Sequence, residues 1–486
     1  MKKIAVPAEV VALSKTLAEA GFEAYLVGGC VRDILFGDRE PKDWDIATDA
    51  KPEEIQKLFP ESVYENDFGT VGIKTESEDP RVKILEVTTY RIEGTYTDQR
   101  HPDEVKFAAN IEDDLARRDF TVNALAMDMK GGVIDPFGGA RDIKDRVLRT
   151  VGVPEERFSE DALRLMRAVR FSVELDFEID MNTRRAIVTL AGGLEAIAKE
   201  RVRDELVKIL MTPNAAKGII LLEELDLLRY VLPELREGIG VGQNKHHIYT
   251  VFEHNVRALD YAAGENYSLV VRMASLLHDV GKPKVKGGDG LNSTFYQHEY
   301  VGARMAVKAL DRLRFSREFT EQVAHLVRMH MFNYDDGVIS PAGVRRLVVR
   351  VGPENIDDLL KVREADRIGS GVKKAVPYRL RHLLFMIEKV KRDPLSPKML
   401  ALRGDDLMPL LNLPQSRRVG WILNALMEEV IDDPEKNDKK YLEKRAKELN
   451  KLSDAELQEL FVSAQQKKRE AEGELDEDIK KKHHVK

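Results

Sequence analysis

The sequence has almost no cysteine: Cys30 stands alone among 486 residues. An intramolecular disulfide is therefore excluded, and a reducing compartment is expected. No uninterrupted apolar run is long enough to span a bilayer. At the amino terminus, MKKIAVPAEVVALSK puts Glu9 inside what would be the apolar core of a signal peptide. The same stretch has no small-residue cleavage site. A cytoplasmic location without a membrane partner is the expectation. Excess positive charge is also missing, since 77 Lys and Arg against 84 Asp and Glu leave a formal net charge of −7. That argues only weakly against a nucleic-acid partner, because binding follows a local basic stripe and not the sum. Arg164, Arg167 and Arg170 form one such cluster, and Arg345, Arg346 and Arg350 another.

What is present is a long chain, 43% hydrophobic and 33% charged, which reads as a globular, largely helical protein of several domains. The first stretch alternates helix and strand signals. After a helical pattern around 8–20, Gly21 breaks the period, and Ala24 to Val27 reads as a short buried strand. Gly28-Gly29 follows, and a helix is expected to open directly after the glycines. Asp43 to Thr48 reads as a second strand, then a helix from Pro52 with proline in its first turn. Val71 to Ile73 and Ile84 to Thr89 are β-branched strand candidates. This α/β region ends near residue 150. From Asp161 onward the apolar spacing is helical. Expected boundaries fall near 235 and at the Pro394/Pro397 pair, and residues 464–486 read as a charged, solvated tail.

Asp43 and Asp45 are two residues apart on an expected strand, so both side chains leave the same face. Adjacent carboxylates repel unless they share a cation, and hard oxygen ligands suit Mg2+. Such a pair can hold two ions, one activating a hydroxyl and one neutralising triphosphate charge. Taken alone, this spacing is commoner in solvated loops. The glycine pair upstream changes the weighting, because backbone N–H groups between a strand and a helix can approach phosphate. Arg32, on the first turn of that helix, is placed for a triphosphate oxygen.

Leu26-Val-Gly-Gly-Cys-Val-Arg-Asp33, followed by Asp43-Trp-Asp-Ile-Ala-Thr48, resembles the catalytic signature of the class II nucleotidyltransferases. That family comprises CCA-adding, CC-adding and A-adding tRNA nucleotidyltransferases and bacterial poly(A) polymerases. The likeness continues through Leu85 to Arg91, Arg117-Arg-Asp-Phe-Thr-Val-Asn-Ala124, Asp135-Pro-Phe-Gly-Gly139 and Ser159 to Phe171. Ordered blocks over so long a stretch are far more specific than any one motif. The resemblance implies Asp43 and Asp45 as metal ligands and Glu86 as the third acid, a ligand or a base. It implies Gly28, Gly29, Arg32 and Arg118 as nucleotide contacts, with Asn123 supporting the sugar or metal region. The expected partners are tRNA, CTP and ATP.

Asp161, Arg164, Arg167 and Arg170 recur every three residues on an expected helix, which by itself also describes a solvated charged ridge. The resemblance implies instead that Asp161 and Arg164 act as a protein template. A carboxylate beside a guanidinium complements the N4 amino group and N3 of cytosine, and equally N6 and N1 of adenine. Uracil and guanine would meet like with like, leaving groups unpaired at about 1–3 kcal/mol each. Arg167 and Arg170 would hold phosphates or stabilise the helix. Arg91 to Pro102 resembles the flexible loop used in switching to A addition, with Glu93, Asp98 and Arg100 as its charged members. Its presence argues against CC-only activity.

A second constellation lies downstream. His278-Asp279 ends an apolar helix, with His254 before it and His298, His330 and Asp366 after it. Histidines with carboxylates suit a divalent transition metal, and their order resembles the HD phosphohydrolase superfamily. Ni2+, Mn2+ or Mg2+ is expected there. Near the carboxy terminus, Arg417 and Arg418 offer either a phosphate contact or a solvated loop.

The expected fold class is α+β and multidomain. A small α/β nucleotidyltransferase head (1–150) precedes an all-helical neck that selects the nucleotide (151–235). An HD body (236–392), a helical tail (393–463) and the charged segment (464–486) follow. The expected activity is template-independent CMP and AMP transfer to the tRNA 3′ end, with a possible HD phosphohydrolase side activity. The rivals are a poly(A) polymerase of the same family and an HD phosphohydrolase whose head only binds RNA.

Overall fold

The structure is a computed structural model. It describes residues 5–37, 39–64, 69–93, 105–244, 248–332, 344, 347–348, 350–391, 400–432, 434–460 and 462. The chain forms two compact units, one of residues 1–330 with 358–373, the other of 331–357 with 374–486.

The first unit begins with helix α1 (Ala8–Glu19), strand β1 (Tyr25–Val27), helix α2 (Gly29–Phe36), strand β2 (Asp45–Thr48) and helix α3 (Pro52–Leu58). Strands β3 (Ser62–Tyr64), β4 (Thr70–Lys74) and β5 (Ile84–Thr89) complete one side of the sheet. A hairpin of β6 (Arg91–Glu93) and β7 (Val105–Phe107) leads to α4 (Ile111–Ala116), β8 (Ala126–Met127), β9 (Val133–Ile134), α5 (Gly139–Asp145) and β10 (Val147–Leu148). The sheet has seven strands in the order β3-β4-β5-β2-β1-β8-β9. Only the central β2–β5 pair is parallel, with Asp45 opposite Glu86. Leu26, Ile46, Leu85, Val87, Val71 and Ile73 share one face and are buried, the alternation expected of a sheet with one packed side. On the other face Val27 and Ala47 join a small cluster with Tyr90, Ile111 and Leu115.

The turn after β1 explains how the sheet presents α2. Gly28 has φ 71° and ψ −129°, and its amide donates to the carbonyl of Leu125. A side chain here would be strained, and a Cβ would lie 2.8 Å from Nη1 of Arg118. The positive φ is what requires glycine, since the Arg118 guanidinium is the movable end of a long side chain.

Helices follow: α6 (Pro154–Glu160), α7 (Leu163–Leu175), then β11 (Glu178–Ile179), α8 (Met181–Leu190), α9 (Lys199–Leu210), α10 (Ala215–Glu224), α11 (Leu228–Val231) and α12 (Pro233–Arg236). Parallel pairing of β10 with β11 ties the α/β part to these helices. Next come α13 (Val251–Gly264), α14 (Leu269–Leu277), α15 (Lys282–Val285), α16 (His298–Arg312), α17 (Arg317–Met329) and α18 (Ile356–Gly369). Arg272, fully buried on α14, donates to the carbonyls of Leu210 and Thr212 at 2.7 and 2.9 Å and so caps the carboxy end of α9. Such a cation suits the negative end of a helix.

In the second unit, Leu407, Ile422, Leu426, Leu442 and Leu449 pack the helices Gly404–Leu411, Arg417–Asp432 and Lys439–Leu449 together. Arg418 donates to the carbonyls of Asn450 and Leu452 at 2.8 and 2.7 Å and is paired with Asp454. It closes a helix end, and is neither a solvated loop residue nor a free phosphate ligand. Among the described residues no helix is long and apolar enough to cross a membrane.

Candidate active site and a buried histidine–aspartate centre

Asp45 opens β2, and Asp43 lies just ahead of it with Trp44 buried between them. The expected strand is thus two residues shorter at its start. The two acids still meet in one cleft of about 850 Å³, which is also lined by Gly29, Arg32 and Asp33 from α2. Arg170, Phe171 and Glu174 from α7 and Lys208 and Thr212 from the end of α9 line it as well. Burial raises the pKa of Asp45, Arg118 opposes the shift, and the charge of Asp43 pushes it further up. In-register pairing on the adjacent parallel strand places Glu86 on the same face. Asp43, Asp45 and Glu86 offer hard oxygen donors that fit a divalent cation.

Around them runs a connected polar ladder. Arg32 is buried and donates to Asp33 at 2.9 Å and to Oδ1 of Asn123 at 2.8 Å. Asn123 donates onward to Asp119 at 3.3 Å, and Arg167 donates to the other Asp119 oxygen at 2.7 Å. Asn123 therefore positions Arg32 and does not line the cleft. Arg118 is held by Asp114 at 3.1 Å. Phe171 lies against three guanidinium groups, those of Arg32, Arg167 and Arg170, at 5.7, 5.2 and 4.1 Å from its centroid. Sequence reasoning missed Asp33, Asp114, Asp119 and Phe171. Asp33, Asp119 and Phe171 lie within the motif blocks and Asp114 just ahead of one, but only the fold shows them orienting the arginines.

Asp161 is the clearest departure from expectation. It is not on the helix with Arg164, Arg167 and Arg170 but caps the preceding one, in an extended conformation, and α7 starts at Leu163. An Asp carboxylate competes for nearby backbone N–H groups and so favours a helix boundary. Here it accepts from the amide of Leu163 at 3.0 Å and from Arg201 at 2.7 Å. Arg164 pairs with Glu160 and donates to the carbonyl of Arg157 at 2.9 Å. Arg170 Nε lies 3.1 Å from Glu205. Asp98 and Arg100 lie outside the described residues, and Glu93 ends β6.

The second constellation assembles fully. His254, His278 and Asp366 form one buried group, and Asp279, His298 and His330 another. Nε2 of His254 lies 2.8 Å from Nε2 of His278, and Nε2 of His298 lies 3.2 Å from that of His330. Asp279 joins the groups: Oδ2 is 3.1 Å from His254 and Oδ1 is 3.2 Å from His298. Nδ1 of His278, His298 and His330 is fixed on the carbonyl three residues back, Ser275, Phe295 and Val327, at 2.7–2.8 Å. That bond sets the tautomer and turns each Nε2 lone pair inward, as metal ligation requires. Burial alone would lower the pKa of His278, but Asp279 and Asp366 push it up to about 10. The carboxylates demand positive charge, and the four-imidazole, two-carboxylate set fits a transition metal. Lys282, 2.5 Å from Asp279 and 2.6 Å from Gln243, is a further buried cation that sequence reasoning left without a role.

The sheet, its acid pair and the following helices define a nucleotidyltransferase head joined to an HD domain. Family descriptions match in the same order: "Poly A polymerase head domain" over residues 24–149, "Probable RNA and SrmB- binding site of polymerase A" over 176–239, and "HD domain" over 251–369. The A-adding tRNA nucleotidyltransferase of Deinococcus radiodurans is 38% identical over 420 residues, 83% of this chain and 91% of that protein. The CCA-adding enzyme of Ligilactobacillus salivarius is 47% identical over 215 residues, 44% of this chain and 52% of that one. The Bacillus stearothermophilus CCA-adding enzyme, solved in complex with CTP, superposes with a TM-score of 0.60 at 30% identity, covering 91% of this chain and 97% of that one. The chain belongs to the tRNA nucleotidyltransferase and poly(A) polymerase family, and it is a nucleotidyltransferase. CCA-adding enzymes depend on divalent metal ions.

Proposed function

We propose that the protein extends the 3′ end of tRNA without a nucleic-acid template, taking CMP and AMP from CTP and ATP, or AMP alone. The observation that carries this reading is the meeting of Asp43 and Asp45 with Gly29 and Arg32 in one cleft, with Glu86 in register beside Asp45. The tRNA 3′ oxygen forms a bond to the α-phosphorus, the bond from that phosphorus to the bridging oxygen breaks, and pyrophosphate leaves. Glu86 faces the hydroxyl and takes its proton. Mg2+ held by Asp43 and Asp45 would neutralise triphosphate charge and lower the barrier to hydroxyl ionisation. Gly28, Gly29, Arg32 and Arg118 orient the triphosphate, and Asn123 keeps Arg32 aimed. Asp161 and Arg164 select the base, while Arg167 holds α7 to Asp119 of the head and Arg170 holds it to Glu205 of α9. Positioning and electrostatics supply most of the rate.

The A-adding relative matches 83% of the chain, and the CCA-adding relative of Ligilactobacillus salivarius matches 44% of it. The test offers tRNA lacking all three terminal nucleotides beside tRNA ending in CC, with CTP and ATP. Extension of both supports CCA addition, and extension of only the second supports A addition. Unlimited adenylate tails on either would instead support a poly(A) polymerase. Asp43→Ala, at an exposed position, should lower kcat about a thousandfold, or about 4 kcal/mol, without changing the melting temperature. Retained incorporation would refute the assignment.

The buried centre supports a second reading for the same chain. His254, His278, Asp279, His298, His330 and Asp366 would hold Ni2+, Mn2+ or Mg2+ and hydrolyse phosphate esters. Release of phosphate from 2′,3′-cyclic nucleotides, lost on chelation, tests it. Such release without any nucleotide incorporation would favour the HD phosphohydrolase alternative, with the head only binding RNA.

A further inference from the structure

We propose that the acceptor RNA's last nucleotides lie on the β5–β4–β3 side of the catalytic sheet face, on a shelf made by Ile84, Val63 and Lys74. The proposal rests on the transferase reading and adds the seat of its second substrate.

The register fixes the shelf. Asp45 is opposite Glu86, Glu86 is opposite Gly72, and Gly72 is opposite Val63. Directly paired residues point to the same side of a sheet, so this row runs across one face from the acids to the edge strand. Three strand spacings make it about 14 Å long. Gly72 puts no side chain between Glu86 and Val63. One pleat along, Ile84 pairs with Lys74, so both side chains share that face. Ile84 is 57% exposed and Val63 69%, the highest value among the exposed large apolar residues of the head's strands. On the opposite face the neighbouring residues Leu85, Val71 and Ile73 are buried at 5% exposure or less. Val63 and Ile84 are thus the two most exposed large apolar side chains of the head's strands, and both lie on the side that carries the carboxylates.

Reaction geometry says what covers them. In-line displacement puts the attacking oxygen and the leaving pyrophosphate on opposite sides of the α-phosphorus. The nucleotide cleft extends from Asp45 toward α2, α7 and the end of α9. The attacking hydroxyl must then arrive from the other side of Asp45, where Glu86 and the shelf begin. Bases pack well on flat apolar surface, and Lys74 supplies a cation for the strand's phosphates.

The test measures steady-state AMP addition to tRNA ending in CC for wild type, Ile84→Asp, Val63→Asp and Lys74→Glu. Each substitution puts negative charge on the shelf at an exposed position, where stability changes little. The expected result is a KM for tRNA raised roughly tenfold per substitution, the equivalent of about 1.4 kcal/mol and within the range of a lost stacking contact. The KM for ATP and the melting temperature should stay unchanged. Wild-type KM for tRNA in all three variants overturns the shelf, as does an equal rise in the KM for ATP. A change in sedimentation with tRNA KM intact would mark the patch as a contact between two copies of the chain, and also overturns it. If wild type itself adds no AMP, the transferase reading fails, which is a different outcome.

Discussion

The two metal-suited centres of this chain are built in opposite ways. In the head, Asp43 is exposed and Asp45 half-buried, and burial raises the pKa of Asp45 against the pull of Arg118. In the HD region all six donors are buried, and three imidazoles are held by backbone carbonyls. The first is left incomplete, open to a triphosphate and a hydroxyl that finish it. The second is prearranged, and Lys282 balances part of the carboxylate charge. An open acid pair suits a transient ion that enters with its substrate, whereas a closed histidine cluster suits a resident one.

The sharpest way to break that contrast is to remove one imidazole. His278→Ala should abolish metal retention in the HD centre, measured by elemental analysis after dialysis, because His278 approaches both Asp279 and Asp366. Nucleotide addition should persist at close to the wild-type rate. Loss of addition in a folded variant would mean that the centres are not independent.

A smaller effect is expected at base selection. Asp161 is tied to Arg201, and Arg164 to Glu160, so neither side chain of the proposed template is loose. Asp161→Ala should raise UMP and GMP misincorporation roughly tenfold to a hundredfold, the equivalent of one or two unpaired buried groups. Arg201→Ala should shift selection in the same direction but less. Unchanged selectivity in Asp161→Ala would remove the template role.

The order of elements in the head was legible because glycines and β-branched runs punctuate it. Gly28 and the Ile84–Thr89 strand fall where expected. The six HD donors were legible because metal-suited residue types in that order are rare. What could not be read was partner choice. Nothing in the spacing of Asp161 and Arg164 reveals that α7 begins after Asp161, or that a residue 40 positions later claims its carboxylate. Likewise the hydrogen bonds that link Asn123 to Arg32 and Asp119 could not be read, since side-chain networks depend on contacts distant in sequence. The register that sets Glu86 beside Asp45 was not legible either, because strand pairing is not written in the local sequence.

That network gives the smallest and most quantitative effect. Burial would raise the pKa of Asp119, but the charge and hydrogen bond of Arg167 outweigh it and hold the carboxyl below its ordinary value of 3.8. Asp114 is lowered in the same way by Arg117 and Arg118. A carboxyl depressed in the folded state contributes stability that is fully present above its unfolded pKa, and that contribution is lost as pH falls through the folded value. The head should therefore lose stability below about pH 4, where the unfolded chain begins to bind protons that the folded chain refuses. Asp119→Asn removes one such group. Its melting temperature should fall by several degrees at pH 7, and the gap to wild type should narrow as the pH is lowered toward 3. A gap that stayed constant over that range would show that the Asp119–Arg167 pair acts by packing and not by charge, and the head's polar ladder would lose its electrostatic account.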